Sequence, residues 1–215
     1  LCPQHGPYSR RSGDDSTEKG RATRLPNDKE FEKLIESSPI WLRRMVMVAA
    51  ETCLSQADVL RLDDSMIDAN EGVIVPEGGR AKTSVLQVAP ITPKVSAVLE
   101  DIGRERKMVA NISKLIFTRN GKPITKGMLQ GAFASAAKKA GIQGFTFHGL
   151  RHLAKTRWAR AGIPVEVAML GAGHASVQMH QHYVHLQRGD VAKAFKMFTG
   201  CLRENGGEER DAVSY

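Results

Sequence analysis

The residue types able to do chemistry are concentrated between His148 and Tyr183, where five of the seven histidines of the 215-residue chain fall. The stretch opens His148-Gly149-Leu150-Arg151-His152, passes through Gly173-His174 and closes in His180-Gln181-His182-Tyr183. His148 and Arg151 are three apart and share one face of a helix or its first turn. A histidine and an arginine together can clamp an oxyanion. The guanidinium is suited to this because it is planar, donates bidentately and stays charged at any working pH. A tyrosine can attack the clamped group, although its ordinary pKa of about 10 demands a proton acceptor or a positive field nearby. The reaction that needs these types together is transfer at a phosphodiester.

Other chemistries fit less well. His174 with Ser176 is a serine–histidine pair, but no nucleophile elbow and no third orienting group accompany it. His180 and His182 alternate faces on a helix, which disfavours joint metal ligation. Cys2, Cys53 and Cys201 are odd in number and far apart, so neither a disulfide framework nor a metal spacing is read. A reducing, cytoplasmic setting is expected. No run approaches about 18 consecutive apolar residues, and no membrane span or signal core is expected. The formal net charge of +8 favours a polyanionic partner, of which nucleic acid is the usual case.

The order His-x-x-Arg, Gly-His and then Tyr nine residues on resembles the tyrosine recombinase, or phage integrase, family. The resemblance covers residues 28 to 200. It implies that Tyr183 attacks the scissile phosphate to form a 3′-phosphotyrosyl bond, with Arg151 holding non-bridging oxygens and His148 and His174 donating hydrogen bonds or moving a proton. The family has histidine or lysine at the first of these positions and histidine or tryptophan at the second. Lys82, in Ala81-Lys82-Thr83-Ser84, resembles the family's hairpin lysine, the general acid for the leaving 5′ oxygen. Arg80 competes for that role and is a candidate DNA contact. No cofactor and no metal are implied. The implied partners are double-stranded DNA and further copies of the chain, met through the C-terminal helix.

One position departs from the pattern. The family's first box reads Thr-Gly-Leu-Arg-x-x-Glu, and this chain has Thr52-Cys53-Leu54-Ser55-Gln56-Ala57-Asp58. Thr52, Leu54 and the acidic Asp58 match. Cys53 stands for the glycine, and Ser55 stands for the first catalytic arginine. A serine supplies no fixed charge, so the expected enzyme is impaired, and the alternative is a non-catalytic DNA-binding module on the same fold. Arg61, six residues on, would face about 120° away from Ser55 in a helix and is not expected to replace it.

The elements that must position these residues can be read in order. Residues 1–26 mix Pro, Gly, Ser and both charges, which predicts a tail or expression remnant. Residues 27–200 are expected to form one catalytic domain, without the separate DNA-binding domain that usually precedes it, and 201–215 a loose tail. Asn27 caps a first helix, and Ser37-Ser38-Pro39 stops it. Helices are predicted over Ile40 to Thr52, Ala57 to Leu62, Pro93 to Lys107, Thr125 to Ala140, Phe147 to Ala161 and from Pro164. Further helices are expected at Ser176 to Val184 and Asp190 to Phe198, the latter with an apolar face of Val191, Ala192, Ala194, Phe195 and Phe198. Strands are predicted at Val73 to Val75, Val85 to Ala89 and Leu115 to Phe117. The fold class is mixed α and β, mainly helical, with a small three-stranded antiparallel sheet.

Overall fold

The computed structural model of the chain describes residues 24–76, 87–108 and 113–173. Helix α1 (Asp28–Glu36) starts at a capping box. The Asn27 side chain accepts from the Glu30 backbone N–H at 2.9 Å, and the Glu30 carboxylate accepts from the Asn27 N–H at 2.9 Å. These reciprocal bonds satisfy two of the donors that a helix start leaves without an intrahelical partner. Ser38 Oγ donates to Leu34 O at 2.7 Å, and Pro39 opens α2 (Ile40–Thr52).

Helix α2 is the axis of the domain. Leu42, Met45, Val46, Val48, Ala49, Ala50 and Thr52 are all buried, and α1, α3, α4, α5 and α6 pack around it. Each large aliphatic side chain so buried contributes about 1.5–3 kcal/mol, which is why a polar-faced helix would not serve here. Arg44 sits on its rim and donates to Asp101 and Glu105 of α4 (Pro93–Met108). Burial alone would lower the Arg44 pKa, but the two carboxylates outweigh it and hold the group above its ordinary value.

After the short α3 (Gln56–Arg61), strands β1 (Ile67–Asp68), β2 (Val73–Ile74) and β3 (Ala89–Pro90) form an antiparallel sheet in that order. Ile67 faces Ile74, which faces Ala89. The sheet thus has three strands, but β1 takes the place expected for Leu115 to Phe117. Those residues stay outside it. Leu115 makes one isolated bridge to Asp63, while Ile116 and Phe117 turn into the core. Strands of two residues are too short to show alternation, and three apolar residues in a row do not distinguish a strand from core-filling loop. The following hairpin pairs β4 (Thr118–Arg119) with β5 (Lys122–Pro123) across Asn120 and Gly121, both at positive φ (53° and 72°). Such a turn matches the right-handed twist of its strands.

Helices α5 (Lys126–Lys139), α6 (Gly149–Arg160) and α7 (Val165–Ala172) complete the described domain, which is mainly helical with small antiparallel sheets. Among the described residues, no helix is long and apolar enough to cross a membrane. Of the tail expected at 1–26, residues 1–23 lie outside the described residues, while Leu25 packs against the core and Pro26 is buried. The Gly-rich connection carrying Arg80 and Lys82 and the helices expected beyond Gly173 also lie outside them, as do His174 and Tyr183.

Candidate active site

The site is built where two helices end against a third. At the end of α2, Thr52 Oγ1 donates to Val48 O at 2.7 Å and accepts from Leu54 N–H at 3.3 Å. Cys53 then adopts φ 59°, ψ 14°, the left-handed conformation that glycine enters at least cost. The family's glycine at this position is thus explained by backbone geometry, and the cysteine takes the same turn. Its side chain is fully buried with Ala154 and Ala172, and Trp158 packs on that cluster. The Cys53 thiol lies 3.7 Å from Arg151 O, to which it donates. Helix α7 ends at Gly173, also left-handed at φ 60°.

The last carbonyls of a helix lack intrahelical partners and form its negative pole. Arg151 of α6 closes both ends at once. Its Nη1 donates to Cys53 O and its Nη2 to Ala172 O. The residue is only 2% exposed. A guanidinium in that position is oriented by the dipoles of two helix ends. Gln87 reinforces the same junction. Its amide Nε2 donates to Gly171 O at 2.9 Å and to Cys53 O at 3.4 Å, and the next residue, Val88, donates its N–H to Leu170 O at 3.2 Å.

Close approach at this junction depends on missing side chains. A Cβ on Gly171 would meet the Trp158 ring at 3.1 Å, and one on Gly149 would come within 2.5 Å of the Phe145 ring. Gly149 is the second residue of the His148-x-x-Arg151 motif, so the motif's own first turn is packed against an aromatic ring.

His148 is the residue before α6, exposed, with its ring edge-on to His152 at 5.0 Å. His148 and Arg151 share the first turn, but the histidine lies at the surface and the arginine is buried. His152 is half-buried against His148.

Ser55 lies two residues past Cys53, beside the junction, as the N-cap of α3. Its Oγ accepts from Asp58 N–H at 3.2 Å and donates to Asp58 Oδ2 at 2.5 Å, while Ser55 N–H donates to the same oxygen at 3.2 Å. Arg61 Nη2 donates to Asp58 Oδ1 at 2.7 Å. The guanidinium of Arg61 is therefore directed to this carboxylate.

Two buried polar residues escape a reading of the sequence alone. Gln87 has no local signal, because its partners are 34 and 84 residues away. Lys155, 1% exposed, does carry a faint one, since it follows Arg151 by four and shares its helix face. In a helix already rich in Arg and Lys that spacing reads as solvated surface.

The Salmonella phage P22 integrase is 27% identical over 175 residues, which are 78% of this chain and 45% of that protein. The chain thus spans less than half the length of that relative. Among solved structures, the XerA recombinase superposes with a TM-score of 0.67 at 22% identity, covering 85% of this chain and 66% of the other. The Tn1549 transposon integrase in complex with a circular intermediate DNA gives 0.67 at 20% identity, covering 86% and 68%. A lambda integrase dimer bound to a COC′ core site gives 0.62 at 21% identity, covering 89% and 51%. At these identities the structures establish the fold, that of tyrosine recombinase catalytic domains. The family model described as "Phage integrase family" matches residues 26–189, from the first helix past Tyr183, and with it the chain belongs to the phage integrase family of tyrosine recombinases.

Proposed function

We propose that this chain is the catalytic domain of a site-specific DNA recombinase whose first arginine is missing. The observation that carries the reading is the guanidinium of Arg151, buried and aimed by two helix ends inside a family match that spans His148 to Tyr183. In this reading Tyr183 Oη attacks the scissile phosphorus. The Tyr183 phenolic proton passes to a histidine of the site, His148 or His174, as the Tyr–O–P bond forms and the P–O5′ bond breaks, and Lys82 delivers a proton to the departing 5′ oxygen. Arg151 holds the non-bridging oxygens, and His148 and His174 donate to them. The phosphodiester energy is kept in the phosphotyrosine, so reversal rejoins the strand without ATP. Arg80 and Lys82 contact DNA, the net charge of +8 supplies the attraction, and affinity falls steeply with salt. Several copies assemble on the DNA through the C-terminal helix.

Ser55 lowers the rate. One preorganised donor at a transition state is worth on the order of 10²–10³ in rate. The test is a nicked suicide DNA substrate assayed for a covalent adduct. Adduct is expected with the wild-type chain at a low rate and none with Tyr183→Phe. A phosphotyrosine mapped to another tyrosine would sink the assignment. A second reading, a DNA-binding module without catalysis, is favoured by the capping box that occupies the position of the arginine. It predicts salt-sensitive binding and no adduct at any time.

A further inference from the structure

We infer that Gln87 is a positioning residue for Arg151, an inference that rests on reading Arg151 as the phosphate clamp. The two carbonyls that aim Arg151, Cys53 O and Ala172 O, belong to helix ends far apart in sequence. Their separation fixes where the guanidinium plane lies, so something must fix their separation. Gln87 does this with one side chain, because its amide donates to Cys53 O on the α2 side and to Gly171 O on the α7 side. One of its acceptors, Cys53 O, is also an acceptor of Arg151. The residue is only 6% exposed, so water competes little for these bonds.

Two neighbouring features hold Gln87 itself in register. Val88 N–H donates to Leu170 O, which ties the backbone beside Gln87 to the last turn of α7. On the other side, Gly173 leaves room for it, since a Cβ there would stand 3.1 Å from Gln87 Cβ. Gly173 is the residue before His174, and Cys53 is two before Ser55. A single amide therefore sets the spacing of the two helix ends that aim Arg151. A buried amide of this kind is more than packing, because a side chain of equal volume without donors would fill the space and leave the two helix ends unlinked. An error of about 1 Å in such a clamp can cost on the order of 10² in rate.

The test compares Gln87→Met, which keeps the volume and removes the donors, with Val95→Ala, a core truncation in α4 that lowers stability without touching the junction. Two quantities are read on the full chain. The first is the NMR spectrum of the Arg151 guanidinium in ¹⁵N-arginine protein, assigned by its loss in Arg151→Lys. Separate Nη signals, the mark of hindered rotation, are expected in wild type and Val95→Ala and averaged signals in Gln87→Met. The second is covalent trapping on nicked DNA at saturating protein, expected to fall about 10–100-fold in Gln87→Met while the Kd for DNA stays within about twofold. Should Gln87→Met not fold, Gln87→Asn, which retains the amide but is too short to reach both carbonyls, takes its place with the same expectations. An Arg151 spectrum unchanged by loss of the amide overturns the inference, as does an equal effect of Val95→Ala. If wild type traps no DNA, the recombinase reading fails, and the Arg151 spectrum alone decides whether Gln87 positions that group.

Discussion

Arg151 and Arg61 lie on either side of the first box and are held in opposite ways. Arg151 is buried and meets carbonyl oxygens at the ends of α2 and α7, which carry partial charge only. Arg61 is exposed and meets the full negative charge of Asp58, which also engages Ser55. Dipoles orient a cation while leaving its charge available to an incoming anion. A carboxylate orients it and cancels that charge. The same cancellation occurs elsewhere on the surface, where Arg44 meets Asp101 and Glu105, and Arg106 meets Asp64. Counting basic residues therefore overstates what a phosphate would feel, and the way each cation is held decides which of them can act.

The strongest way to break this contrast is at Arg151 itself. Arg151→Ala removes a charged donor from two buried carbonyls and should cost about 3 kcal/mol of stability, by denaturant melt, and abolish covalent trapping. Arg151→Lys sharpens the point. It keeps the charge and loses the fork, and trapping should fall on the order of 10²-fold while folding is largely retained. A lysine variant with wild-type trapping would mean that charge alone, without aimed geometry, is sufficient.

Next in size is Ser55→Arg, which adds a cation beside Asp58, the carboxylate that already holds Arg61. If Ser55 is the chief defect, trapping should rise on the order of 10²-fold, with Tyr183→Phe in that background returning it to zero. Trapping unchanged with DNA binding intact would place the defect elsewhere. The same substitution removes the α3 cap, so a loss of about 1 kcal/mol in stability is expected alongside. Ser55→Ala isolates that cost, with a loss of about 0.5–2 kcal/mol and no gain in trapping.

What could be read from the sequence divides along the same lines as the forces involved. The cap of α1 at Asn27 and the span of α2 from Ile40 to Thr52 agree with expectation because their signals are local, a capping residue before an apolar-periodic stretch and an apolar run bounded by Pro39. The pairing of Ile67–Asp68 with β2, and the use of Leu115 to Phe117 as core filling, depend on partners elsewhere and leave no local trace. The His148-Arg151 motif was legible as chemistry, but its geometry was not. Nothing in the spacing says that the histidine stays at the surface while the arginine is drawn inward to two helix ends. The left-handed backbone of Cys53 was foreshadowed only by the glycine expected there.

The smallest effect concerns acid. Glu30 is held below the ordinary carboxylate range by its bonds to the Asn27 backbone and to Arg24. A depressed folded-state value means that its contribution is complete above the unfolded value, near 4.5, and is lost as the pH falls through the lower folded one. Glu30→Gln should therefore flatten slightly the acid limb of a melting-temperature profile below pH 4.5 and change little at neutrality. An unaltered acid limb would remove Glu30 from the account.

The fully buried thiol of Cys53 adds a kinetic consequence. It lies inside the small cluster under Arg151, against Ala154, Ala172 and Trp158, so an alkylating reagent can reach it only when the α2, α6 and α7 junction parts. Its modification rate, mapped by mass spectrometry to distinguish it from Cys2 and Cys201, is then a clock for opening events too rare to appear in an equilibrium melt. Anything that braces the junction should slow that clock, and anything that loosens it should quicken it, even where the overall stability of the domain is unchanged.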